Sequence, residues 1–138
     1  MTMTPTQAVQ AFLDALARHD VDAAMAVTDP RVSVTVHPFG IYDGGADVLR
    51  SVLADLVRAF PDLVIDVSRV ITTGEVVTAL FKAEGTQAAG YAGAINQEKH
   101  LDIDQAWRFV TAGRLITEVA AYWNDAGISQ QLGHNEVD

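Results

Sequence analysis

The sequence predicts one α+β domain, a cone with N-terminal helices lying across the concave face of a curved antiparallel sheet. Three observations predict it. Apolar residues recur at spacings of three and four only in the N-terminal half, the mark of amphipathic helices. From Leu63 onward the pattern becomes alternation, in stretches separated by glycine turns. The 138 residues contain no repeat, low-complexity tract or linker and have the length of one domain, 1–138. Helices followed by an antiparallel meander put the helices on one face of the sheet. The hollow so formed is apolar, open at one end, and suited to a small ligand.

The elements follow in order. Thr4-Pro5-Thr6-Gln7 offers an N-cap, a proline at the first helical position and a capping-box Gln. Val9, Phe12, Leu13 and Leu16 form the stripe of that first helix, which fades at Arg18-His19-Asp20. A short helix from about Asp22 to Val27 is expected to stop at Thr28-Asp29-Pro30. Val32 to His37 alternates strictly and is β-branched, hence a strand, and Pro38 ends it for want of an N–H. Phe39 to Gly45 reads as a loop. Val48, Leu49, Val52, Leu53, Leu56 and Phe60 mark a third helix from about Ala46 to Ala59, broken by Pro61-Asp62. Strands are expected at Leu63–Ile71, Val76–Glu84, Lys99–Val110 and Leu115–Trp123. Gly74 and Gly113 supply the positive φ of tight hairpins. The Gly-rich stretch from Gly85 to Gln97 reads as a connection that could serve as a lid.

Composition narrows the function. Apolar residues make up 49% of the chain, enough to bury about two-thirds of the unfolded surface. There is no cysteine, which excludes disulfide scaffolds, Cys-ligated zinc, iron–sulfur clusters and thiol nucleophiles. Nine basic against 18 acidic residues leave a net charge of −9. The basic residues are scattered singly, so neither nucleic acid nor an anionic membrane is the expected partner. MTMTPTQAVQ lacks the basic and apolar regions of a signal peptide, and no apolar run approaches the ~20 residues of a membrane span. A cytoplasmic protein is expected. The 21 alanines, and seven arginines to two lysines, suggest a GC-rich bacterial gene.

The strand around Trp107 is the most informative stretch. Alternation puts Leu101, Ile103, Gln105, Trp107 and Phe109 on one face and Asp102, Asp104, Ala106 and Arg108 on the other. Gln105 is the one polar residue of the apolar face, so it needs an internal partner or a ligand. Asp102 and Asp104 read as a solvated face; Asp-x-Asp without a completing ligand set is a weak metal signal. His37 closes the first strand, where an imidazole is either a general base at neutral pH or a solvated strand end. Tyr122 and Trp123 must point to opposite faces; Tyr122 is either a hydroxyl donor at the pocket mouth or simple packing. His19, His100 and His134 lie among polar neighbours and read as surface. No serine lies in a nucleophile elbow. Gly85, Gly90 and Gly93 form no phosphate loop, since no lysine and no helix follow.

The outer sheet face also carries apolar residues: Val76 or Val77, Ala106, and either Val119 and Ala121 or Ala120. Strands apolar on both faces suggest a second subunit there, so a homodimer is expected.

Several phrases together carry a resemblance: Ala59-Phe60-Pro61-Asp62-Leu63, Gly85-Thr86-Gln87, Trp107-Arg108-Phe109, and Tyr122-Trp123-Asn124-Asp125-Ala126-Gly127 through Gln131-Leu132-Gly133. From about residue 5 to 133 the chain resembles SnoaL-like polyketide cyclases of the nuclear transport factor 2-like, or ketosteroid isomerase-like, superfamily. The resemblance implies a cone-shaped α+β barrel that takes a small apolar carbonyl compound and needs no metal or organic cofactor. It implies either acid/base chemistry of the cyclase or isomerase type, or binding alone, since fold does not give function. The polar position before the first-strand proline falls on His37. The inward position that is His in cyclases and an acidic oxyanion donor in isomerases falls on Gln105. The cyclase Asp falls on Tyr122, the Tyr of the isomerase first helix on Phe12, and the His of the Gly-Thr-His phrase on Gln87. The catalytic residues so implied are His37, Gln105 and Tyr122, with Phe12, Phe39, Phe60, Phe81, Ile103 and Trp107 lining the pocket. Superfamily members commonly pair through the outer face of the sheet.

Overall fold

The computed structural model describes residues 3–133, and of Asp125 the backbone alone. Helix α1 (Pro5–Ala17) starts as expected. The Thr4 hydroxyl accepts from the Gln7 N–H at 3.1 Å, and the Gln7 side-chain oxygen Oε1 accepts from the Thr4 N–H at 2.9 Å. Helix α2 (Val21–Ala26) is capped by Asp20, and α3 spans Ala46–Ala59. The strands are β1 (Thr28–Val36), β2 (Ile41–Gly44), β3 (Val64–Thr73), β4 (Val76–Thr86), β5 (His100–Ala112) and β6 (Leu115–Trp123), and helix α4 (Asp125–Leu132) follows.

The strands form one sheet in the order β2-β1-β6-β5-β4-β3. All pairs are antiparallel except β1 with β6, which run parallel. The sheet is curved and does not close, and α1 lies across β3, β4, β5 and β6 while α3 packs on β1.

Two local expectations are corrected, and one further element is found. Thr28-Asp29-Pro30 does not stop the chain but opens β1; Pro30 sits where the register against β6 shifts, between Thr28 and Ser33, so its missing N–H breaks no regular ladder. The Phe39–Gly45 loop contains a strand. A 3-10 turn over His37–Phe39 ends at Gly40 (φ +64°), and β2 folds back on β1 with Ile41 opposite Val36 and Gly44 opposite Val34. The tail after Trp123 is a helix. Asn124 caps it, and Gly127 lets it approach, because a Cβ there would stand 3.1 Å from Ile103 Cδ1.

The core lies between α1, α3 and the inward rows of the sheet. Phe12 is fully buried, with its ring 5.4 Å from Phe109 and 6.2 Å from Trp107, and Phe81 stands 5.8 Å from Trp107. These rings fill the deep end of the cone. The inward residues of β4 and β5 are those that alternation predicts, from Val77 to Ala83 and from Leu101 to Phe109.

Candidate functional site

Gln105 sits on the inward row of β5, 8% exposed, between Phe81 on β4 and Trp123 on β6. The indole N–H of Trp107 donates to its side-chain oxygen at 2.7 Å. An indole nitrogen can only donate, so the atom it meets is the amide oxygen. The NH2 is therefore directed away from Trp107, and among the described residues it has no partner. Trp123, the cross-strand neighbour of Gln105, is 3% exposed, and its buried Nε1 has no partner among the described residues either. An unsatisfied buried donor costs about 1–3 kcal/mol.

A groove of about 460 Å³ borders both residues. It runs along the outward row, at Leu80, Ala106 and Tyr122, while the side chains of the intervening Phe81, Gln105 and Trp123 face inward. Among the described residues Asp104 is the one charged side chain along it, and Ser68 reaches it from the point where β3 slips register against β4.

His37 and Tyr122 are neighbours on the outward side. Val36 pairs with Ala121, so the next residue of each strand falls side by side; the His37 and Tyr122 rings stand 6.2 Å apart, and Tyr42 closes on His37 at 5.9 Å. His37 is exposed and Tyr122 is 60% exposed. The structure thus places Tyr122 and His37 together on the outward side of the sheet and Gln105 on the inward side.

The expected pocket wall divides. Phe81 borders the groove. Phe39 borders a smaller cavity of about 190 Å³ with Val52 and Tyr91, and its ring packs on Trp123 at 5.2 Å. Phe12, Phe60 and Trp107 are packed core, and Ile103 is buried under Gly127 of α4. The large rings of α1 and β5 pack on one another.

The segment between β4 and β5 is pinned. Gln87 is 1% exposed; its NH2 donates to the Ala94 carbonyl at 3.2 Å, and its oxygen accepts from the Gln97 N–H at 3.4 Å. Tyr91 is buried between the Phe39 and Phe60 rings, at 6.5 and 5.3 Å. Asp62 holds the other side, accepting from the Thr86 N–H at 2.8 Å. That hydrogen bond lowers the Asp62 pKa from its ordinary value of 3.8, against a smaller opposing effect of burial. A Cβ on Gly85 would stand 3.0 Å from both Asp62 Oδ1 and Phe60 Cβ, so the Phe60-Pro61-Asp62 and Gly85-Thr86-Gln87 phrases form one joint.

A family model for the SnoaL-like domain matches residues 9–119. The chain belongs to this family. No functionally curated protein matches it in sequence. Solved structures similar to this SnoaL-like domain have low identity to it and show the fold. One, assigned as a SnoaL-like polyketide cyclase from Jannaschia sp. CCS1, is 17% identical with a TM-score of 0.81, over 100% of this chain and 99% of that one. A SnoaL-like polyketide cyclase from Agrobacterium tumefaciens is 18% identical, TM-score 0.77, over 95% and 99%. A protein of ketosteroid isomerase-like fold from Catenulispora acidiphila, crystallised with trimethylamine, is 18% identical, TM-score 0.76, over 95% and 95%.

Other polar residues of the SnoaL-like domain serve the scaffold. His19, expected at the surface, is half-buried, and its ring bonds the Leu63 carbonyl at 2.9 Å, joining the end of α1 to the start of β3. His100 is exposed, 3.4 Å from Glu84. His134 lies outside the described residues. Among the described residues no three His, Asp or Glu gather as a metal site, and no helix is long and apolar enough to cross a membrane. Trp123 and the Gln87 latch escaped sequence reasoning. Alternation marks Trp123 as the inward member of the Tyr122-Trp123 pair, and that was the available signal.

Proposed function

We propose that the chain binds a small apolar carbonyl compound beside Gln105, with no metal or organic cofactor. The observation that carries this is the pinned Gln105 amide, whose oxygen is occupied by Trp107 and whose N–H groups are left for an acceptor. Phe81 and Trp123 flank Gln105 on the inward row and suit an apolar ring system. Among the described residues the buried polar ones, Thr28, Gln87, Gln105 and Thr111, are all uncharged. Such an interior matches a neutral ligand and offers no carboxylate or imidazole as a base, which favours binding without turnover.

The second reading is cofactor-independent cyclase- or isomerase-type chemistry, favoured by the approach of His37 to Tyr122 at the groove. In it His37 takes the proton next to the carbonyl, and Gln105 and Tyr122 donate to the enolate oxygen. The experiment incubates the protein with 1-tetralone in D2O and follows the hydrogens next to the carbonyl by NMR. Binding with exchange no faster than in buffer supports the first reading. Accelerated exchange that His37→Ala abolishes supports the second. No binding of this or larger polycyclic ketones overturns both.

The partner reading is a homodimer through the outer face of the sheet. Val64, Ile71 and Tyr122 stand exposed on that face, 50%, 40% and 60%, and Leu80 and Ala106 lie between them. The molar mass at micromolar concentration tests it, and a monomer overturns it. The cytoplasmic location and bacterial source remain expectations from the sequence.

A further inference from the structure

The outward face of the sheet sorts its charges by position along the strands. Register aligns its side chains in rows that cross β3, β4, β5 and β6. Toward one end Glu84 stands beside Asp102, and in the next row Asp66, Lys82 and Asp104 stand side by side, so four carboxylates surround one lysine. The row after that is Arg69, Leu80, Ala106 and Tyr122, uncharged on β4, β5 and β6. Ile71, Thr78, Arg108 and Ala120 follow, and beyond them Val76, Val110 and Glu118. Asp104 and Arg108 thus lie on β5 two residues to either side of Ala106, both exposed. At ~3.4 Å per residue they stand about 14 Å apart, too far to pair with one another. Lys82 is engaged by Asp102 at 3.4 Å, and among the described residues neither Asp104 nor Arg108 makes an ion pair.

We infer that two copies of this chain meet with their strands reversed, the row of Leu80, Ala106 and Tyr122 lying on itself, so that Arg108 of each copy pairs with Asp104 of the other. This rests on the homodimer reading above and gives it an orientation and a decisive contact. A two-fold axis in the plane of contact either follows the strands or crosses them. Following them, it would lay the carboxylate end of one copy on the carboxylate end of the other, and opposed like charges repel. Crossing them along the row of Leu80, Ala106 and Tyr122, it brings the row of Asp104 over the row of Arg108 twice, as an isologous contact requires. An axis nearer the acidic end would press Lys82 and Asp104 onto Leu80 and Ala106, burying charge without a partner. The groove fits the same arrangement. Leu80, Ala106 and Tyr122 line it and Asp104 stands on it, so it offers apolar walls to the stem of an arginine and a carboxylate to its head. Packed sheets stand about 10 Å apart, a gap that a long arginine side chain can bridge.

Charge reversal tests the pairing, read by sedimentation velocity of the whole chain at micromolar concentration. The expected result is a dimer for the wild type and association weaker by about tenfold or more for Asp104→Arg and for Arg108→Asp, because each variant sets like charges against each other on both sides of the axis. Mixed in equal amounts, the two variants should recover the dimer, since one then carries both positive members of the pairs and the other both negative ones. The chain that carries both reversals should dimerise with itself for the same reason. Recovery in the mixture also shows that both variants are folded. Should a reversed variant not fold, Asp104→Asn and Arg108→Gln take its place; each should weaken association, and their combination no further than one alone. If a single reversal leaves association as tight as in the wild type, or if the mixture stays monomeric, the pairing is overturned while a wild-type dimer still supports the homodimer reading. If the wild type is a monomer at that concentration, the homodimer reading fails and the pairing with it.

Discussion

The Trp107 indole N–H donates to the Gln105 side-chain oxygen across 2.7 Å, two residues along the same inward row of β5. The bond turns a flexible amide into a fixed one, because rotating it would set an N–H against an N–H. Gln105→Leu leaves the Trp107 donor buried and unpaired. We expect it to destabilise the fold by about 1–3 kcal/mol, read from urea unfolding. Adding Trp107→Phe to Gln105→Leu removes the orphan, so the double variant should lose less than the sum of the two single losses. Full additivity would show that the two side chains do not interact.

Gln87 holds the segment between β4 and β5 from inside, bridging Ala94 and Gln97. Gln87→Ala should speed amide exchange over residues 88–99 by more than tenfold, while β4 and β5 keep their protection. Unchanged exchange there would mean that the Tyr91 packing holds the segment by itself.

Asp62 makes stability pH-dependent at the acid end. Its folded pKa lies below the ordinary 3.8 because the carboxylate accepts from the Thr86 N–H. A depressed folded pKa contributes stability above the unfolded value that is lost as pH falls through the folded one. Between about pH 5 and pH 3, wild-type protein should therefore lose more thermal stability than Asp62→Asn, whose amide oxygen still accepts but does not titrate. Equal loss in both proteins would remove Asp62 from the account. The carboxylate is exposed, so the difference should be small.

Tyr122 tests the outer face. A charge at a residue 60% exposed in the single chain should shift monomer stability by less than about 0.5 kcal/mol. If two copies bury that face, Tyr122→Glu should halve the molar mass at micromolar concentration and leave the unfolding slope per chain unchanged. A mass unaffected by the substitution would move the contact elsewhere.

The sequence showed the fold well and the site in pieces. Period-two alternation from Leu101 to Phe109 gave the two faces of β5, because that strand is long and buried on one side. Strand β2 was hidden because four residues including Asp43 and Gly44 resemble a loop, and only pairing with β1 makes them a strand. Helix α4 was hidden because its stripe is short, Ile128 and Leu132. At the site, alternation found Gln105. The position of His37 follows instead from the parallel pairing of β1 with β6, a long-range fact no local pattern carries. How deeply Phe12, Phe60 and Trp107 are buried depends on side-chain interlocking, which residue type does not reveal.

Strand β6 ends opposite Gln105, yet β5 begins at His100, so its first residues have no strand beside them on that flank. Helix α4 covers the gap. The Gln131 oxygen accepts from the Asp102 N–H at 2.6 Å, and its NH2 donates to the Asp102 carbonyl at 2.8 Å. A side-chain amide thereby imitates the peptide group of a neighbouring strand. The edge is closed to any other chain that might add a strand there, beside the apolar Leu101 and Ile103. Helix α4 thus occupies an edge that would otherwise be open to pairing, and a chain lacking α4 should offer that edge for self-association.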